Sequence, residues 1–240
     1  NSINVLLDPM TSATDDKTIV RNYFNAQGFD RWSRIYGDGQ VNKVQRDIRE
    51  GHQQTVDHVL YWFKQDGAAD GLTVCDAGCG VGSLSIPLAT MGAVVAASDI
   101  SEKMVEEAKV RAAAVLPAEA MPIFEAKDLE TLDGTYHTVI CLDVLIHYPQ
   151  EKAGAMIAHL SSLAEERLIL SFAPKNPFYI LLKRIGEFFP GPSKATRAYL
   201  HSEGEIRAAL QANGWEIKRR EFTATQFYFS RLLEAVKVSK

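Results

Sequence analysis

The chain has 240 residues, 46% hydrophobic and 23% charged, with a formal net charge of −4 at pH 7. That suffices for one α/β domain with a modest addition, and the mild acidity argues against a protein built to grip phosphate backbones, so no nucleic-acid partner is expected. Cys75, Cys79 and Cys141 form no CxxC pair and fit a reducing compartment, while no apolar run reaches the ~20 residues that span a bilayer, so a cytoplasmic location is expected.

Residues 1–10 differ in character from the rest of the chain and read as a tag or disordered leader ahead of a natural start near Met10. Ile19, Val20, Tyr23 and Phe24 recur at helical spacing after a capping Thr14, and Val41, Val44, Ile48, Val56, Val59, Leu60 and Phe63 trace a second, longer and interruptible helix towards Gly67. Residues 11–68 are therefore expected to form an N-terminal helical cap. From Leu72 the period changes and strands alternate with helices: strands at 72–77, 93–98, 121–125, 136–142 and 167–172, helices at 83–91 and 101–115, and further helices starting near Gln150 and His201. Two strand-like runs at 215–221 and 225–238 suit an antiparallel pair. The pattern predicts an α/β, Rossmann-like domain over 69–240, a mostly parallel seven-stranded sheet with helices on both faces. Residues 173–200, rich in proline and carrying the apolar run from Phe178 to Phe189, interrupt it as an insertion.

The sharpest signal is Asp76-Ala77-Gly78-Cys79-Gly80-Val81-Gly82, where the first strand turns into the first helix of the alternating part. Glycines there admit positive φ and close approach of a ligand, and the helix start behind them offers unpaired amides. The spacing is GxGxG rather than the dinucleotide GxGxxG, and Asp76 would repel a pyrophosphate but attract the ammonium and sulfonium of S-adenosylmethionine. Asp99, roughly 20 residues beyond Gly78 and just past the second strand, is placed to accept hydrogen bonds from ribose hydroxyls, or alternatively to cap the helix beyond it. Ile100 and Met104 beside it are candidates for covering adenine, or ordinary core. Asp128 and Leu129 after the third strand are candidates for reading the adenine edge, or a solvated turn. The fourth strand exits through Asp143 and runs to His147 at the mouth of the crevice.

The glycine loop, the acid after strand two and the strand-four exit resemble class I S-adenosylmethionine-dependent methyltransferases over 72–172. The flanks narrow the likeness: Phe29-Asp30-Arg31-Trp32, Ile35-Tyr36-Gly37, His147-Tyr148, Phe189-Pro190-Gly191-Pro192-Ser193-Lys194 and Thr225-Gln226-Phe227-Tyr228-Phe229 resemble the magnesium-protoporphyrin IX methyltransferase family from about residue 18 to the end. The resemblance implies esterification of one propionate of magnesium protoporphyrin IX in chlorophyll biosynthesis, with S-adenosylhomocysteine as the other product. It also raises contact with magnesium chelatase and a peripheral location on photosynthetic membranes as expectations.

On that reading His147 is the first candidate for orienting or deprotonating the carboxylate and Tyr36 the second, as a hydrogen-bond donor, each set against a purely structural role. Asp76, Gly78, Gly80, Gly82, Asp99, Ile100, Met104, Asp128, Leu129 and Asp143 are the expected cofactor contacts. His52 and His58, six apart on one helix, miss the i, i+4 spacing of a metal pair, and no protein-bound metal is expected, the magnesium belonging to the substrate. Rival readings are a nicotinamide oxidoreductase, a quinone-type methyltransferase sharing every cofactor residue, a nucleic-acid methyltransferase, and a module that binds the cofactor without turnover.

Overall fold

The computed structural model describes residues 42–67, 69–175 and 199–238, together with Thr18, Arg21, Asn22 and Asn25, which have helical backbone ahead of them. Tyr36 and the apolar run from Phe178 to Phe189 lie outside the described residues.

The long helix before the sheet is continuous: α1 spans Lys43–Gln65. Its start is set by a capping box, in which the Asn42 side chain accepts from the Gln45 amide at 2.8 Å and the Gln45 side chain accepts from the Asn42 amide at 3.2 Å. Its inward face carries Val56, Val59, Trp62 and Phe63 into the same cluster as Val74, Val95 and Ala97 of the sheet. The helix assigned to the N-terminal cap is thus built into the core of the sheet domain.

The alternating part runs β1 (Thr73–Ala77), α2 (Ser85–Thr90), β2 (Val94–Asp99), α3 (Glu102–Val115), β3 (Ile123–Ala126), β4 (Tyr136–Cys141), α4 (Gln150–Leu163), β5 (Ala164–Phe172), α5 (Glu203–Ala212), β6 (Trp215–Ala224) and β7 (Phe229–Lys237). One seven-stranded sheet has the order β3-β2-β1-β4-β5-β7-β6. Pairings from β3 to β5 are parallel, and β7 enters antiparallel between β5 and β6. Successive residues of the central strands serve opposite cores. Val74, Ile140 and Ile169 pack with α1, α2 and α3, whereas Cys75, Val139, Cys141, Leu168 and Leu170 pack with α4 and α5. Covering on both faces is why these strands read as unbroken apolar runs.

Some boundaries move, each for a local reason. The helix after β1 begins at Ser85 rather than residue 83, because residues 80–84 are spent in turns that return the Gly82 amide to the Cys79 carbonyl at 2.9 Å. β7 begins at Phe229 because the Asp47 carboxylate on α1 holds the hairpin turn, accepting from Thr225 Oγ1 at 2.6 Å, the Phe227 amide at 2.7 Å and the Gln226 amide at 3.1 Å. The two ends of the 173–200 insertion lie side by side: His201 N donates to Ala173 O at 2.9 Å and Lys175 N to His201 O at 2.7 Å.

β1 has β2 on one side and β4 on the other, so the connections leaving its C-terminal end diverge and open a crevice there. Asp76, the glycine loop, Asp99 and Asp143 all lie at that end of the sheet.

Candidate active site

The glycine loop adopts the conformations its residues permit. Gly78, Gly80 and Gly82 have φ of 91°, 52° and 85°. The amides of Gly78 and Cys79 both donate to the Ser98 carbonyl at 2.8 Å, tying the loop to the end of β2. A Cβ on Gly78 would stand 2.1 Å from Val144 Cγ2, so the loop and the strand-four exit approach as closely as glycine allows. A Cβ on Gly80 would meet nothing within 4 Å, and this is the open side of the loop.

Two carboxylates flank the loop, Asp76 buried and Asp99 partly exposed. Asp76, 2% exposed, accepts from Ser85 Oγ at 2.5 Å. Burial pushes its pKa up to about 6, the Ser85 hydroxyl works the other way, and the Asp99 charge adds to the rise. Asp99 accepts from the Gly80 amide at 3.0 Å and the Ser101 amide at 2.9 Å, and burial raises its pKa as well. Its carboxylate thus braces the turn into α3, as the capping alternative expects. Ser101 is the cap of α3, accepting from the Met104 amide at 3.3 Å. Two neighbouring carboxylates suit a cationic ligand and disfavour a pyrophosphate.

The other adenine-side candidates divide. Ile100 is partly exposed beside Asp99, whereas the Met104 side chain is 2% exposed and belongs to the core. Asp128 caps a short 3-10 turn, Leu129–Thr131, accepting from the Glu130 amide at 3.1 Å, and the Leu129 side chain is buried in the α4–α5 core.

Asp143 departs from expectation. Its carboxylate, read as a cofactor contact, is held by the protein: Oδ2 accepts from His52 Nδ1 and from the Tyr228 hydroxyl, both at 2.8 Å, and Oδ1 from Ser171 Oγ at 2.9 Å and more distantly from Ser230 Oγ at 3.4 Å. Four donors occupy the four lone pairs, so a cofactor meets the charge of this side chain rather than a hydrogen bond from it. Burial acts to raise its pKa, but the bonds and charge of His52, with those of Tyr228 and Ser171, hold it below the ordinary carboxylate value. Asp143 is also the single non-glycine residue with positive φ, 57°, among the described residues. His52, whose spacing suits no metal pair, and Tyr228 are the residues that sequence reasoning missed. Gly51 was the available signal, because a glycine inside a helix marks a close approach. A Cβ there would stand 2.3 Å from the Tyr228 ring.

His147 closes a short 3-10 turn, Leu145–His147, its amide donating to the Val144 carbonyl at 2.9 Å. Burial holds its pKa down to about 4 against the opposing pull of the Asp143 charge, so the ring is neutral at pH 7. The turn is braced from the insertion's base, where His201 Nε2 donates to Leu145 O at 2.7 Å and Tyr199 N to Ile146 O at 2.8 Å.

Residues 141–237 match the family model described as magnesium-protoporphyrin IX methyltransferase C-terminus, and residues 74–166 match a methyltransferase domain. A magnesium-protoporphyrin O-methyltransferase from Synechocystis sp. is 65% identical over 226 residues, which is 94% of this chain and 98% of that one. The chain belongs to the magnesium-protoporphyrin IX methyltransferase family. The chloroplastic magnesium protoporphyrin IX methyltransferase of Arabidopsis thaliana is 63% identical, over 92% of this chain and 71% of the relative. The crystal structure of the Synechocystis family member with bound S-adenosylhomocysteine superposes with a TM-score of 0.86 at 63% identity, covering 92% of this chain and 99% of that one. The seven-stranded methyltransferase architecture is therefore common to both.

Proposed function

We propose that this chain transfers the methyl group of S-adenosylmethionine to one propionate carboxylate of magnesium protoporphyrin IX, giving the monomethyl ester and S-adenosylhomocysteine. The observation that carries this is the 65% identity to a magnesium-protoporphyrin O-methyltransferase, sustained across 94% of the chain and so through the flanks as well as the crevice. A quinone-type enzyme would share only the crevice.

The cofactor supplies an electrophilic methyl on a positively charged sulfur. A propionate oxygen forms a bond to that carbon as the carbon–sulfur bond breaks, and the two opposite charges cancel. A propionate with a pKa near the ~4.3 of a Glu side chain is already ionised at pH 7, so the chain's work is alignment and exclusion of water rather than strong base catalysis. In this reading Asp76 and the Asp143 charge favour the cation, Gly78, Gly80 and Gly82 give its methionyl end backbone access, and Asp99 takes the ribose. Ile100, Asp128 and the Leu129 amide border the adenine, with the buried Met104 side chain backing them, His147 orients the propionate as a neutral imidazole, and Tyr36 adds a donor from the N-terminal segment. The magnesium stays in the macrocycle. We extend the reading to a cytoplasmic enzyme that takes its substrate from magnesium chelatase at the surface of photosynthetic membranes. The apolar sequence from Phe178 to Phe189, with Lys183 and Arg184, supports the membrane part.

Incubation of the protein with methyl-labelled S-adenosylmethionine and magnesium protoporphyrin IX should place one label in the extracted porphyrin. Absence of label with cofactor binding intact would return the substrate to the quinone class. His147→Phe is expected to lower kcat by about ten- to a hundredfold with S-adenosylhomocysteine affinity unchanged within about threefold, since alignment is lost but the crevice is kept. Wild-type turnover would remove His147 from the mechanism.

Affinity for S-adenosylhomocysteine, which keeps the ammonium, should depend on pH through Asp76. The ionised form binds the cation, so a proton competes below its pKa of about 6. Affinity is then level above pH 7 and falls on the order of tenfold by pH 5. Titration calorimetry across pH 5–8 reads this directly, and a flat profile would show that Asp76 does not face the ammonium. Asp76→Asn should bind more weakly at pH 7 and lose the slope.

A further inference from the structure

We propose that His52, Tyr228 and Asp143 form a positioning unit that locks the strand-four exit and so sets His147 and Val144 in their working places. It rests on the methyl-transfer reading for its consequence in turnover, but its geometry stands apart from that reading.

Asp143 sits where β4 ends and the chain must reverse into the 145–147 turn. It does so with positive φ, which a non-glycine residue adopts at a cost and keeps only where its surroundings over-determine it. Here the surroundings come from three separate elements. α1 brings His52, β5 brings Ser171, whose hydroxyl both accepts from the Asp143 amide at 2.8 Å and donates to Oδ1, and the β6–β7 turn brings Tyr228.

The ionised carboxylate fixes the protons of the groups that touch it. Asp143 only accepts, so His52 Nδ1 carries its hydrogen and the Tyr228 hydroxyl donates. The Tyr228 oxygen is then left to accept, and the Thr55 hydroxyl lies 3.0 Å from it and 3.3 Å from both Thr223 Oγ1 and the Gly51 carbonyl. Thr55 is 0% and Thr223 4% exposed, so the network runs from the partly exposed Asp143–His52 contact into the interior. Gly51 lets the Tyr228 ring lie against α1, and Asp47 clasps the turn carrying Tyr228.

The consequence falls on the neighbours of Asp143. Val144 is the side chain against Gly78, and the His147 amide bonds to the Val144 carbonyl at 2.9 Å. Rotation at Asp143 therefore moves the imidazole and the wall of the glycine loop together. His52 and Tyr228 are positioning residues, acting through Asp143 rather than on the reacting atoms.

The test uses His52→Ala, Tyr228→Phe and the conservative His52→Asn, whose Nδ2 falls where the histidine Nδ1 was. His52→Ala and Tyr228→Phe should each lower kcat by about ten- to thirtyfold while His52→Asn stays within about threefold of wild type. Added to His147→Phe, His52→Ala should cost less than about twofold more, because the two act on one step. Isotope-edited spectra of the S-adenosylhomocysteine complex should show the His147 ring resonances displaced in His52→Ala and restored in His52→Asn. Full cost of His52→Ala on the His147→Phe background, or unmoved ring resonances, would overturn the proposal. The spectra need no porphyrin, so a wild type that fails to methylate the macrocycle would remove the functional reading and leave the positioning unit intact. If His52→Ala does not fold, Tyr228→Phe, which deletes a single oxygen, carries both measurements.

Discussion

Gly78→Ala is expected to weaken S-adenosylhomocysteine binding by at least about a hundredfold while the chain still folds. Two costs coincide at this position. The backbone has φ of 91°, which L-residues avoid, and the new methyl would lie 2.1 Å from Val144 Cγ2. Overpacking of this kind costs roughly 1–3 kcal/mol and an unfavourable φ about 1–2 kcal/mol more. The cheapest relief is for the loop to part from the strand-four exit. That movement breaks the paired bonds from the Gly78 and Cys79 amides to Ser98 O and displaces the backbone that the proposed function gives to the cofactor. Gly80→Ala should disturb stability less, since its φ of 52° lies in the left-handed region and its Cβ meets open space. Calorimetric titration of both variants, with thermal unfolding as the control for folding, decides the matter. Affinity for Gly78→Ala within about fivefold of wild type would show that the contact relaxes without moving the loop.

Glu234→Ala should have the largest effect on stability, a loss of about 3–5 kcal/mol. Glu234 is 1% exposed on β7 and its carboxylate bonds both Arg167 of β5 and Arg219 of β6, which Asp66 at the end of α1 also pairs. The Arg167 guanidinium lies 4.3 Å above the Phe63 ring and that of Arg219 lies 5.2 Å from Trp62, so the cluster fastens the C-terminal half of α1 to the sheet. Removing the buried carboxylate of the pair leaves Arg167, whose side chain is 7% exposed, with Asp66, 35% exposed, as its remaining salt-bridge partner among the described residues. For a chain of this size the melting temperature should fall by roughly 6–20 °C. Glu203→Gln is the contrasting case. It pairs with Arg220 and Arg231 at 3.3 and 2.9 Å on a more open surface, where an ion pair is worth about 0–1 kcal/mol. Equal melting of Glu234→Ala and wild type would show that the desolvation cost of this carboxylate cancels its ionic gain.

α1 illustrates a limit of reading by periodicity. Its spacing of Val56, Val59 and Phe63 marks an apolar face, but a face alone does not say what it covers. From its place before the first strand, it reads as part of a cap. In the fold it shares one core with β1 and β2 and carries His52 to the strand-four exit. The glycine loop is the opposite case. Its conformation is demanded by residues adjacent in the chain, so spacing alone places Asp76, Gly78, Gly80 and Gly82 at the crevice, and Asp99 is located by the length of one strand–helix–strand unit.

The sequence by itself determined the order of strands and helices, the antiparallel close of the sheet, the glycine loop at the end of β1 and, through the flanking motifs, the family. All of these are written in contiguous residues, where side-chain period and backbone preference act over a few positions. Only the tertiary structure decided what Asp143 does, because its partners His52 and Tyr228 stand 91 and 85 residues away. No local pattern records such a meeting. A carboxylate at the strand-four exit takes whichever donors the packing of α1, β5 and the β6–β7 turn brings within reach, and once they satisfy its lone pairs it offers a ligand its charge alone.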